Sequence, residues 1–95
     1  MLKITMGKGF HVTFENGWTV SVQFGPGNYC ENYHARIGLE DGEAGALGSE
    51  TAETAAWPPS GEMLRFENGD TVQAYQSPAE VLALLVRVAA FPPEE

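Results

Sequence analysis

Basic side chains are scarce in this chain of 95 residues: Lys3, Lys8, Arg36, Arg65 and Arg87 stand against thirteen carboxylates, giving a formal charge of −8. Five scattered cations cannot assemble the phosphate-neutralising surface that generic nucleic-acid binding requires. Cysteine is scarcer still. Cys30 stands alone, so no internal disulfide can form and the fold must hold by burial and hydrogen bonding. Long apolar runs are missing too: the stretch from Val81 to Ala90 is interrupted by Arg87 and is about half of what a bilayer span needs. The opening Met-Leu-Lys-Ile-Thr-Met-Gly-Lys lacks the apolar core of a signal peptide. These absences set the expectation of a cytoplasmic protein with no membrane role.

Apolar residues make up 43% of the chain and aromatics 11%, a globular and not a disordered composition. A chain of this length has room for one modest core. Residues 1–95 are therefore read as one domain, with an acidic, glycine-rich surface loop over 40–50.

The strand signal is strongest near the N-terminus. Phe10, Val12 and Phe14 alternate with polar residues, and after Asn16-Gly17 the alternation resumes as Trp18, Val20, Val22 and Phe24. A two-residue Asn-Gly loop would send the two apolar sets to opposite faces. A three-residue loop, Glu15-Asn16-Gly17, with Gly17 left-handed in a G1 bulge, pairs Phe14 with Trp18, Val12 with Val20 and Phe10 with Val22, so that all share one face. The pattern Phe-Glu-Asn-Gly-x-Thr-Val then returns at Phe66 to Val72. By the same reasoning Gly69 is left-handed and a second bulged hairpin pairs Leu64 with Val72, with Met63 and Arg65 facing outward. Tyr33 to Leu39 and Thr51 to Trp57 are further strand candidates, and Pro58-Pro59-Ser60-Gly61 reads as a turn.

Ser77-Pro78-Ala79-Glu80 is a capping box with proline at the first helical position. A helix follows, with Val81, Leu82, Leu85, Val88 and Ala89 as its apolar stripe, Leu84 and Phe91 at the edges, and Pro92-Pro93 as its stop. The expected fold is α+β: a small antiparallel β-sheet of about five strands, including two bulged hairpins, packed against one C-terminal helix.

Chemistry is thinly signalled. Residues Phe24 to His34 concentrate two glycines, two asparagines, two tyrosines, a cysteine and a histidine, more recognition groups than a turn requires. Asn28, Tyr29, Asn32, Tyr33 and His34, together with Arg36 and Trp57, are the candidate ligand- or partner-binding residues. The glycines lie two apart with no following Lys-Ser/Thr, so this is neither a phosphate loop nor a dinucleotide fingerprint. Cys30, with His34 as base, is the nucleophile arrangement that an enzyme reading would use. Cys30, His34 and the distant His11 make neither a CxxC nor an HExxH set, so no metal or other cofactor is expected.

The segments Gly9 to Cys30, Thr51 to Trp57 and Gly69 to Pro78 resemble small uncharacterised acidic proteins of bacteriophages and prophages. That resemblance implies a protein that acts by binding and blocking a host factor; it assigns no site residues. The favoured reading is a non-catalytic binding module, an inhibitor or adaptor that presents residues 25–34 and an acidic flank to a host protein, a basic one by charge complementarity. The alternatives are sequestration of a small polar or nucleotide ligand by the same loop, and a cysteine-dependent enzyme. Edge-strand pairing would permit a homodimer.

Overall fold

The computed structural model describes residues 1–5, 9–24 and 49–93. Five strands, β1 (Leu2–Ile4), β2 (Gly9–Thr13), β3 (Thr19–Gln23), β4 (Ala52–Trp57) and β5 (Gln73–Gln76), precede one helix, α1 (Pro78–Ala89). The sheet is antiparallel throughout and its order follows the chain, β1-β2-β3-β4-β5. This is the expected α+β arrangement. The candidate strand Tyr33 to Leu39 and the loop 40–50, up to Gly48, lie outside the described residues.

The first hairpin takes the register that the apolar alternation demands. Phe10 faces Val22 and Val12 faces Val20, the Phe14 amide donates to the Trp18 carbonyl at 2.9 Å, and Gly17 donates back to Phe14 at 2.9 Å. Gly17 has φ +88°, and a Cβ there would come within 2.7 Å of the Pro59 ring. Only glycine meets both conditions without strain.

The second turn has the same bonds, Phe66 to Asp70 at 2.8 Å and Gly69 to Phe66 at 2.9 Å, and Gly69 also has φ +88°. Its arms, however, do not run on as a paired hairpin. The Leu64 amide donates to Ala56 on β4 at 2.8 Å, while Gln73 and Gln76 pair with Thr54 and Ala52 of the same strand. The chain thus turns at Pro58 to Gly61, runs back along β4, leaves it in the bulged turn, and rejoins it as β5. Backbone groups of both arms find partners on β4, which displaces the expected Leu64–Val72 pairing. One more irregularity follows: Ala74 and Tyr75 together oppose Glu53, and Tyr75 takes φ +53° in this bulge.

Helix α1 begins as its sequence dictates. Ser77 Oγ accepts from the Glu80 amide at 3.2 Å and Glu80 accepts from the Ser77 amide at 2.9 Å. Its C-terminus is closed from elsewhere: Asn16 Nδ2 donates to the carbonyls of Val88 and Phe91 at 2.9 Å each, and Asn16 Oδ1 holds the Trp18 amide at 2.9 Å. Trp18 meets Phe91 edge to face at 4.9 Å, and Arg87 lies over the Phe91 ring.

The core is small and aliphatic. Val20, Val22, Ala52 and Ala56 from the sheet meet Leu84 and Val88 from the helix, with Phe10, Phe14, Trp18, Phe24, Leu64, Phe66, Val81, Leu85 and Phe91 packed around them. The helix face differs from expectation. Leu84 is central and buried, Leu85 is half-buried, and Leu82 and Ala89 are exposed. The reason is that nearly every position from Val81 to Val88 is apolar, so periodicity defines an arc wider than the contact, and packing against β3, β4 and β5 selects its Leu84–Val88 side.

Two predictions follow from this packing. Asn16→Asp removes both donors and sets a carboxylate against helix C-terminal carbonyls, so it should cost about 1–3 kcal/mol in urea unfolding near neutral pH. Asn68, whose oxygen accepts from the Asp70 amide and from Gln73 Nε2, should tolerate the same change within about 0.5 kcal/mol. Equal losses at the two sites would remove the helix-clamping role. In the second case, Leu84→Ala should cost roughly 2–5 kcal/mol and Leu82→Ala under about 0.5 kcal/mol; a reversed order would mean that α1 is rotated.

Candidate functional site

The two faces of the sheet are finished differently. On the face away from α1, β3 carries the small residues Thr19 and Ser21, and β4 carries Trp57 opposite Thr19 and the small Ala55 opposite Ser21. All three small residues are buried. Because β2 and β4 stand about 10 Å apart, His11 and Trp57 can reach across β3, and their rings meet edge to face at 5.1 Å. Polar groups close the rest of this face: the Thr13 and Thr19 hydroxyls bond at 2.9 Å, and Gln23 Nε2 donates to Thr5 at 2.7 Å and to Ser21 at 3.2 Å. Burial first, and then the Lys3 charge, hold the His11 imidazole below its ordinary pKa. Trp57, a candidate binding residue, is thus half-buried in a ring contact that roofs the sheet.

On the helix side, α1 takes its strand neighbours from β3 to β5; β2 is half-buried and β1 exposed. Leu2 faces Val12 and Ile4 faces Phe10 across the β1–β2 ladder, so all four share the face that carries Val20 and Val22. Leu2 and Ile4 are 77% and 79% exposed. Between β2 and the helix runs a cleft of about 350 Å³, whose walls are Phe10, Val22 and Phe24 on one side and Val81, Leu82 and Leu85 on the other. Ser49, Glu50, Thr51, Ala52, Gln76 and Pro78 complete its described lining. Leu82 and Val86, one helical turn apart, are 61% and 62% exposed on the flank of the helix beside it.

Of the residues singled out from sequence, Asn28, Tyr29, Asn32, Tyr33, His34 and Arg36 lie outside the described residues, as does Cys30. Phe24 and Ser49, the described residues on either side of that stretch, both line the cleft. The outward-facing Met63 and Arg65 contribute instead to an open hollow of about 480 Å³ with Trp18, Leu64 and Thr71, and Arg65 donates to the Gly69 carbonyl. Among the described residues no three His, Cys, Asp or Glu side chains come together as metal ligands, and no helix is long and apolar enough to cross a membrane. Sequence reading counted the cleft residues as core. The available signal was the helix itself, whose apolar arc exceeds what one contact can bury.

The His11 environment predicts a pH dependence. A depressed folded pKa means that the unfolded chain takes up its proton first. This contribution to stability is present above about pH 6.5, the ordinary imidazole value, and is lost as pH falls through the lower folded value. An NMR titration of His11 should give a midpoint below that of the urea-unfolded chain, and Trp57→Ala should raise it by readmitting water. A midpoint unmoved by Trp57→Ala would show that the ring contact does not supply the burial.

Comparison with protein-family models, with curated proteins and with solved structures finds no match to this chain.

Proposed function

We propose that this protein is a non-catalytic binding module that engages another protein through the cleft between α1 and the β2 side of the sheet. The observation that carries this reading is an apolar cleft walled by Phe10 and Leu82, with exposed Ile4 opposite Phe10 on the ladder and exposed Val86 one helical turn from Leu82. Apolar strips of this kind, rimmed by polar residues, mark sites of protein contact. A net charge of −8 adds long-range attraction for a basic partner and keeps the free protein soluble. The apolar walls offer little to a small polar or nucleotide ligand, which would leave its own polar groups unpaired. The resemblance to small acidic phage proteins makes a host-cell protein the proposed partner, bound as an inhibitor or adaptor binds its target. Phe24, the last described residue before 25–34, lines this cleft, which supports a part for that segment in the same contact.

Tagged wild-type protein and Leu82→Glu, each exposed to lysate of the organism that encodes the chain, provide the test. One protein should be retained by the wild type, weakened roughly tenfold or more by the variant, and should bind again when purified. An identical set of proteins on both baits, or a small molecule as the sole specific companion, would defeat the proposal.

A further inference from the structure

We infer that Asn68 is a site of spontaneous covalent modification, closing with Gly69 to a succinimide that opens to aspartate and isoaspartate, and that the fold spares its counterpart Asn16. Asn-Gly occurs twice in the chain, both times in a Phe-Glu-Asn-Gly context. The chemistry needs an asparagine followed by a residue whose backbone nitrogen can approach Cγ, and glycine, without a Cβ, hinders that approach least. Base removes the Gly69 amide proton, and the nitrogen attacks Asn68 Cγ. The new N–Cγ bond replaces the Cγ–Nδ2 bond, and the side-chain nitrogen takes up a proton and leaves as ammonia. Water then adds to either imide carbonyl, giving aspartate or isoaspartate with no oxidation or reduction.

The two turns form a matched pair. Gly17 and Gly69 both have φ +88°, and each donates to the phenylalanine three residues earlier at 2.9 Å. Each asparagine oxygen accepts the amide two residues on, at 2.9 Å from Trp18 and 3.0 Å from Asp70. Turn conformation therefore favours neither site. The surroundings differ. Asn16 is half-buried, and its Nδ2, the leaving group, donates to the Val88 and Phe91 carbonyls. Pro59 stands 2.7 Å from where a Cβ on Gly17 would lie, so the backbone there is hemmed in. Asn68 and Gly69 are both exposed, and nothing lies within 4 Å of the corresponding position at Gly69. Ring closure at Asn16 thus requires that the helix C-terminus first let go, a local opening that Asn68 does not need.

The product falls where it alters one surface and leaves another untouched. Met63, Leu64, Arg65 and Thr71, on the arms of this turn, line the open hollow beside Trp18, whereas none of residues 66–70 lines the cleft against α1. Aspartate adds a negative charge beside the Arg65–Gly69 bond, and isoaspartate also inserts a side-chain carbon into the backbone of the turn.

The full chain, held at mildly alkaline pH and shown by circular dichroism to stay folded, provides the test beside a parallel sample in urea. Samples are digested with pepsin in acid, which halts the reaction, and mapped by mass spectrometry. In buffer the peptide containing Asn68 should lose ammonia and then appear as two products carrying O in place of NH, roughly tenfold or more faster than the peptide containing Asn16 reacts. In urea the two rates should converge, because the fold is what tells the sites apart. An Asn68 that stays intact in buffer would overturn the inference, as would equal rates at the two sites or a faster Asn16. An Asn16 that remains the slower site in urea would assign the difference to flanking residues and overturn the protective role of the helix clamp.

Discussion

A single carboxamide ties the first hairpin to the last helix. Asn16 sits in the β2–β3 turn, holds that turn with its oxygen, and spends its nitrogen on the carbonyls of Val88 and Phe91. A helix C-terminus leaves four carbonyls without intrahelical partners. Closing them from the β2–β3 turn fixes one end of α1, while the short step from Gln76 to the Ser77 cap fixes the other beside β5. The helix therefore crosses the sheet on a set diagonal. The same constraint that sets the helix over β3 to β5 keeps it off β2, so the cleft between Phe10 and Leu82 is a consequence of how the helix is pinned.

The repeated heptapeptide shows which parts of this fold are legible in sequence and which are not. Turn chemistry is local: Asn-Gly with a left-handed glycine yields the same bonds and the same φ at Gly17 and Gly69, and both were readable from the apolar register. What each turn is for is not local. Asn16 reaches a helix more than seventy residues away, whereas Asn68 accepts from its near neighbours Asp70 and Gln73. Likewise the arms of the second turn contain strand-like residues, but β4 offers both of them partners, and tertiary pairing outweighs the hairpin that the local pattern favours. The short β1 gave no sequence signal of its own because three residues cannot show a period.

The helix illustrates a second limit. Its cap was fully legible, since Ser77, Pro78 and Glu80 form a local set. Its buried side was not, because leucines and valines occupy Val81, Leu82, Leu84, Leu85, Val86 and Val88, and a helix apolar over so wide an arc has no unique inner line. Leu82 and Val86 are the residue of that ambiguity. In a chain this acidic, two large aliphatic side chains more than half exposed are a surplus that strand alternation and capping rules do not account for, and they motivate the binding role proposed above.

The contrast between the sheet's two faces narrows where the function resides. The outer face is finished: small residues on β3, a His11–Trp57 roof, and hydroxyl and amide groups bonded to one another leave little for a partner to gain. Within the core the one discord is Thr54, whose buried Oγ1 finds no hydrogen-bond partner among the described residues, but it faces the packed helix and no cleft wall. Among the described residues the helix side combines exposed aliphatic side chains with a concavity, Leu82 and Val86 standing beside the cleft that Leu82 and Phe10 line. Apolar burial yields affinity in proportion to area, so on the reading proposed above this is the side with surface left to bury.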